Sequence, residues 1–124
     1  MKVLHVNEHL SSRGGVETYL LSLLPMLAER DVSVAVAFAS GDESLADRAY
    51  AAPALSQSSR RAEASGFRQL AQILEIEKPD VVHLHNIFNV GAIEACLQAA
   101  PVVVTGHDYR YLCPASTFYF RATE

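Results

Sequence analysis

Short apolar runs alternate along the chain with segments in which apolar residues recur at helical spacing. Each apolar run has the length and composition of a strand that is buried on both faces of a parallel sheet. We therefore predict strands at Lys2–Val6, Val32–Ala39, Val81–His85 and Val102–Thr105.

Between these strands, spacings of three and four predict helices with one buried face. The first helix begins near Val16, and Pro25 is expected to kink it or end its regularity. The second runs from Phe67 to the residues before Pro79, and the third covers Val90–Ala99.

The pattern weakens between Glu43 and Gly66. Here we expect a short helix at Ser44–Tyr50, an edge strand at Ala52–Leu55 and a mobile connection at Ser56–Ser65.

The alternation of strand and helix predicts an α/β fold, a Rossmann-like doubly wound parallel sheet. The strand order is 3-2-1-4-5 if the sheet reverses direction beside the first strand. A chain of 124 residues has room for one such domain. The order places the loop after the first strand where the winding of the sheet reverses, which is where ligands bind in this class.

Composition narrows the functional classes. With a net charge of -4 and scattered Lys and Arg residues, we expect no nucleic-acid binding. No apolar run approaches the roughly 20 residues that cross a bilayer, and the apolar start at 1–6 is short for a secretory signal. We therefore expect a cytoplasmic protein in which Cys96 and Cys113 are reduced thiols.

The stretch Asn7–Thr18 is predicted to be the first strand-to-helix loop, and it contains the adjacent Gly14 and Gly15. Glycines permit positive φ angles and close approach of a ligand, and the N–H groups of a first helical turn attract anions. The pair alone fits a phosphate-binding loop and a tight packing turn equally well.

The carboxyl ends of parallel strands meet at one edge of the sheet, so three loops should converge there. The polar residues that they contribute are Arg13 beside the glycine pair, His85 with Asn86, and His107 with Asp108. His107 follows a buried strand and a glycine, so its ring either reaches a ligand across the strand ends or orders its own loop.

Other chemistries receive less support. His83 and His85 share one strand face and, with His107 and Asp108, would suit a metal hydrolase. A mid-strand histidine is more often bonded to a backbone carbonyl, and we predict no metal site.

The motifs of dinucleotide-binding folds, phosphate-binding NTPase loops and serine hydrolases are absent. A non-catalytic flavodoxin-like module stays an alternative, although the acidic cluster of receiver domains is reduced to Glu8.

Three segments of the sequence are similar to those of a known protein family. They are Arg-Gly-Gly-Val-Glu-Thr at 13–18 with the strand before it, Lys-Pro-Asp-Val-Val-His-Leu-His-Asn at 78–86, and Val-Val-Thr-Gly-His-Asp-Tyr-Arg-Tyr-Leu-Cys-Pro at 103–114. In this order and spacing the chain resembles the amino-terminal domain of a family 4 glycosyltransferase of the GT-B fold. The likeness leaves out only 41–66.

The resemblance implies transfer of a sugar from a nucleotide-sugar donor to a saccharide or lipid-linked acceptor, with retention of configuration and with no cofactor or metal. It implies that Gly14 and Gly15 approach the donor diphosphate or the acceptor, and that His107 contacts the donor sugar as the catalytic residue. The remaining residues that we place in the donor and acceptor site are Arg13, His85, Asn86 and Asp108.

Such enzymes hold most of the nucleotide in a second α/β domain. Residues 1–124 are therefore expected to be a truncated acceptor-side domain that lacks its nucleotide-binding partner domain and has no transferase activity alone. The edge strand Val102–Thr105 predicts self-association, with exchange of the aromatic tail that includes Phe118, Tyr119 and Phe120. The resemblance also allows peripheral contact with the inner face of a membrane.

Overall fold

Five parallel strands form one sheet in the computed structural model, which describes residues 1–113. Their order, β3-β2-β1-β4-β5, confirms the predicted order and the α/β Rossmann-like class. The strands are β1 (Lys2–Leu10), β2 (Ser33–Gly41), β3 (Ala49–Ala51), β4 (Val81–Leu84) and β5 (Val102–Val104).

Three helices cover the two faces of this sheet unequally. Helix α1 (Gly15–Ala28) lies on one face, and α2 (Arg60–Glu77) and α3 (Val90–Ala99) lie on the other. Alternate residues of β2 show the division, because Ala35 and Ala37 pack with α2 and α3 whereas Val36 and Phe38 pack with α1. Two 3₁₀ turns, Glu43–Leu45 and Pro53–Ser56, flank β3.

The first strand is longer than its apolar run, so the predicted loop from Asn7 is wrong in its first half. β1 continues to Leu10 because β2 extends beside it, with Asn7 opposite Phe38 and Leu10 opposite Gly41. The connection to α1 is therefore only residues 11–14. Pro25 also fails to end helical regularity, since α1 continues to Ala28.

The segment between β2 and α2 differs most from prediction. The expected helix at Ser44–Tyr50 is only the 3₁₀ turn Glu43–Leu45, in which the Asp42 carboxylate accepts a hydrogen bond from the Ser44 amide. The edge strand forms earlier than expected, at Ala49–Ala51, and Pro53 begins a 3₁₀ turn where that strand was predicted.

Helix α2 begins within the stretch predicted to be a mobile connection. The Ser59 hydroxyl accepts a hydrogen bond from the Ala62 amide and caps the helix one residue before Arg60. At the other end, Lys78 adopts a left-handed conformation with φ of 46° before Pro79.

Among residues 1–113, helix α1 leaves part of its own face of the sheet open. A groove of about 260 Å³ runs between α1 and the β4–β5 half of the sheet, and it is lined mainly by aliphatic side chains together with His5, Tyr19 and His83. Within the described residues, no helix is both long and apolar enough to cross a bilayer. The predicted aromatic tail beyond Cys113 lies outside the described residues.

Candidate functional site

The connection from β1 to α1 places two glycines in different roles. Gly14 has a φ of 105°, a conformation that residues with a Cβ rarely adopt, so the backbone itself favours glycine there. Among the described residues, the only group that a Cβ would meet is the movable carboxylate of Glu17. Gly15 is the first residue of α1, and a Cβ there would meet nothing within 4 Å. Packing among the described residues therefore does not explain why residue 15 is a glycine.

Within residues 1–113, the first turn of α1 keeps free N–H groups. Thr18 donates from its amide and from its hydroxyl to the Gly14 carbonyl, at 3.1 and 2.6 Å. Gly14 is the N-cap residue and has no side chain to accept a bond from the amides of residues 15–17. Arg13 is exposed beside this turn, and its carbonyl accepts a hydrogen bond from the Ser11 hydroxyl.

A stack of histidines lies beside this turn, on the α1 face of the sheet. His5 pairs with His83 in the register of β1 and β4, and His85 lies two residues beyond His83 on the same face. The ring centroids of His83 and His85 are 4.2 Å apart, and those of His5 and His83 are 5.2 Å apart. His5 Nδ1 is 3.2 Å from His85 Nε2.

Burial keeps these imidazoles neutral. Desolvation, followed by the proximity of His83, lowers the pKa of His5 to about 4. Desolvation, followed by the neighbouring histidines, lowers the pKa of His85 to about 3. The pKa of His83 is also lowered, first by burial and then by His107. At neutral pH each ring therefore has one N–H donor and one acceptor nitrogen.

His107 forms the outer end of the stack. Its Nε2 is 3.0 Å from His85 Nδ1, and its ring is half-buried. The Tyr19 ring, one helical turn beyond Gly15, meets the His107 ring edge-on at 5.1 Å between centroids. The loop that follows β5 and the amino-terminal part of α1 therefore meet at one edge of the sheet, as the convergence of loops predicts.

The rest of the loop that follows β5 is held by hydrogen bonds to nearby residues. The Asp108 carboxylate accepts hydrogen bonds from the Arg110 amide and from Arg110 Nε, at 2.9 and 2.8 Å, and these bonds lower its pKa. Tyr111 donates its hydroxyl proton toward the His85 carbonyl, at 2.7 Å, and accepts from the Ile87 amide. This loop is thus fixed over the loop that follows β4.

The sequence matches a known protein family over most of its length. The family model described as Glycosyltransferase Family 4 matches residues 13–123. The chain belongs to Glycosyltransferase Family 4. No curated protein gives a significant sequence match.

The fold of this family 4 chain is similar to that of UDP-GlcNAc 2-epimerase from Neisseria meningitidis, whose crystal structure was determined bound to UDP-GlcNAc. The TM-score is 0.59 at 18% sequence identity, and the match covers 94% of this chain. It covers 36% of the epimerase chain, so this chain spans about a third of the length of that structure.

Several predicted site residues differ in their accessibility within the family 4 domain. His107 is half-buried, and Arg13, Gly14, Gly15 and Asp108 are exposed. His85 and Asn86 are buried, so neither lines an open cleft in the described structure. His85 instead contacts the site through His107.

Sequence reasoning missed two residues next to this site, His5 and Tyr19. His5 lies inside an apolar run, and only the pairing of β1 with β4 shows that it is opposite His83. Tyr19 was assigned only to the buried stripe of α1, yet 42% of its surface is exposed and its ring contacts His85 and His107.

Proposed function

We propose that this chain forms the part of a glycosyltransferase that lines the cleft between donor and acceptor. The proposed reaction transfers a sugar from a nucleotide-sugar donor to a saccharide or lipid-linked acceptor, with retention of configuration. The family match over residues 13–123 supports glycosyl transfer. The observation that supports this proposal most is that His107 and the start of α1 meet across Tyr19 at the carboxyl edge of the sheet.

The start of α1 suits the departing diphosphate. Charge develops on this leaving group as the bond to the sugar breaks, and fixed N–H groups at a helix terminus stabilise such charge. The open space in front of Gly15 would let a phosphate approach the amides of residues 15–17. Arg13 is exposed next to them and would add a positive charge.

His107 suits a contact with the donor sugar, because one ring nitrogen is oriented by a buried partner. Its Nε2 is held by His85 Nδ1, which leaves Nδ1 of His107 for a substrate group. His85, buried and neutral, acts in this proposal as a positioning residue. Asp108 orders the same loop through Arg110.

The diphosphate contact can be tested on the chain itself. We expect inorganic pyrophosphate and uridine diphosphate to shift the backbone amide NMR signals of Gly15, Val16 and His107. Gly15→Ala should weaken this binding about tenfold, or ~1.4 kcal/mol, by placing a methyl group in the ligand's path. Ser22→Ala, on an exposed position of the same helix, should bind like the wild type.

Two results would contradict the proposal. Shifts confined to other parts of the chain, with Gly15→Ala unaffected, would remove the start of α1 from the binding site. In the natural protein, His107→Ala should lower kcat for sugar transfer at least about 100-fold. Turnover that is unchanged by this substitution would remove His107 from the reaction.

A further inference from the structure

The buried histidine stack extends beyond what sugar transfer needs. His107 and His85 suffice to orient a ring toward substrate, yet His5 and His83 continue the stack between β1 and β4, below the strand ends. Of the five histidines in the chain, only His9 is not part of this stack. Such a concentration of imidazoles requires an explanation of its own.

Three of these rings meet the geometric needs of a metal ion. One ring nitrogen from each of His5, His83 and His85 can be chosen so that all three lie within 4.8 Å of one another. Two nitrogens on one tetrahedral zinc ion, with bonds near 2.0 Å, lie about 3.3 Å apart. The 3.2 Å separation of His5 Nδ1 and His85 Nε2 is close to this value.

The outer nitrogens of two rings already have the partners that metal-binding histidines use. His83 Nε2 is 2.6 Å from the Thr105 hydroxyl, and His85 Nδ1 is 3.0 Å from His107 Nε2. Such contacts fix the tautomer and aim the opposite nitrogen at the ion. Each of these two rings therefore has one nitrogen held and one nitrogen directed into the stack.

His5 has one ring nitrogen without a partner within the described residues, Nε2, and it is not the nitrogen that faces His85. Its side chain is fully buried. Leaving such an atom unpaired in the interior costs about 1–3 kcal/mol. His5 also lines the groove of about 260 Å³ beside α1, through which an ion could reach the stack.

We propose that His5, His83 and His85 form a binding site for one transition-metal ion of the zinc class. Neutral imidazoles without carboxylates favour Zn²⁺, Cu²⁺ or Ni²⁺ over Mg²⁺ or Ca²⁺. The ion has no step in sugar transfer. It ties β1 to β4 and holds His85 with its Nδ1–H directed at His107.

Zinc titration of the purified, metal-stripped 124-residue chain tests the site. In competition with a chromophoric chelator, the wild type should bind one equivalent of Zn²⁺. His83→Gln and His5→Gln should each weaken binding more than about 100-fold, since losing even an outer partner costs about 10- to 100-fold. His9→Gln is the matched control, because His9 is exposed and contacts Ser40 instead.

The test does not require every variant to fold. His83 is only partly buried, so His83→Gln should keep the wild-type circular dichroism spectrum even if His5→Gln does not. Imidazole ¹⁵N signals of the wild type give a second measurement, in which Zn²⁺ should shift those of His5, His83 and His85 while leaving His9 unchanged. Absence of stoichiometric Zn²⁺ binding, or equal binding by His83→Gln, would show a hydrogen-bonded stack without a metal.

Discussion

The buried His5 and His85 should make stability depend on pH in a defined window. Their folded-state pKa values, about 4 and about 3, lie below the ordinary 6.5. Below pH 6.5 these two histidines bind protons in the unfolded chain but stay neutral in the folded chain. Stability is therefore full above 6.5 and is lost as pH falls toward 4, by roughly 1 kcal/mol per histidine per pH unit.

Urea unfolding between pH 7.5 and 4.5, in the presence of a chelator, measures this loss. His9→Gln should preserve the pH dependence, because His9 lies outside the stack and is exposed. His5→Gln should reduce its slope. A free energy of unfolding that stays constant from pH 7 to pH 5 would show that the stack accepts protons in the folded state.

At the scale of elements, strands and helices with clear periodicity could be predicted from sequence. The order of the sheet followed from alternation, which restricts the topologies, together with the assumption that the sheet reverses direction beside the first strand. The segment from Glu43 to Gly66 could not be predicted, since contacts distant in sequence decide it. Arg48 donates to the Val34 carbonyl and pairs with Glu77 at 3.1 Å, which fixes β3 against β2 and α2.

The candidate site was partly predictable for a similar reason. Loops after strands converge in any parallel sheet, so His107 and the glycine pair could be identified from position. His5 could not, because a histidine inside an apolar run gives no sign of what lies on the neighbouring strand. The register of β1 against β4, with His5 opposite His83, is a property of the folded pair.

The packing of α2 against α3 depends on a glycine that has no part in the proposed chemistry. A Cβ on Gly91 would collide with the Glu63 backbone carbonyl in α2. Alanine normally stabilises a helix relative to glycine, but here it must push two helices apart. We expect Gly91→Ala to lower the free energy of unfolding by about 1–3 kcal/mol.

Gly15→Ala is the matched control for this substitution, since it places the same methyl group at the start of a helix in open space. Chemical denaturation should show Gly15→Ala at or above wild-type stability. If Gly91→Ala were as stable as the wild type, the close contact of α2 and α3 would be wrong.

In the described part of the domain, the two faces of the sheet are covered to different extents. α2 and α3 pack over one face from β2 to β4, whereas α1 on the other face packs mainly with β2 and leaves the groove beside β5. β5 is also an edge strand within the described residues, and its Val103 is 51% exposed. An exposed apolar edge with unpaired backbone groups favours pairing with another chain.

We therefore expect the 124-residue chain to self-associate through β5 at high micromolar concentration. Val103→Lys should shift its sedimentation profile toward monomer, because a charged side chain on an edge strand opposes pairing. Leu97→Lys is the matched control, since Leu97 is 63% exposed on α3 and is not part of β5, and should associate like the wild type. The two variants separate an effect of the edge from an effect of added charge. A wild-type chain that sediments as a monomer throughout would show that β5 is not a pairing edge.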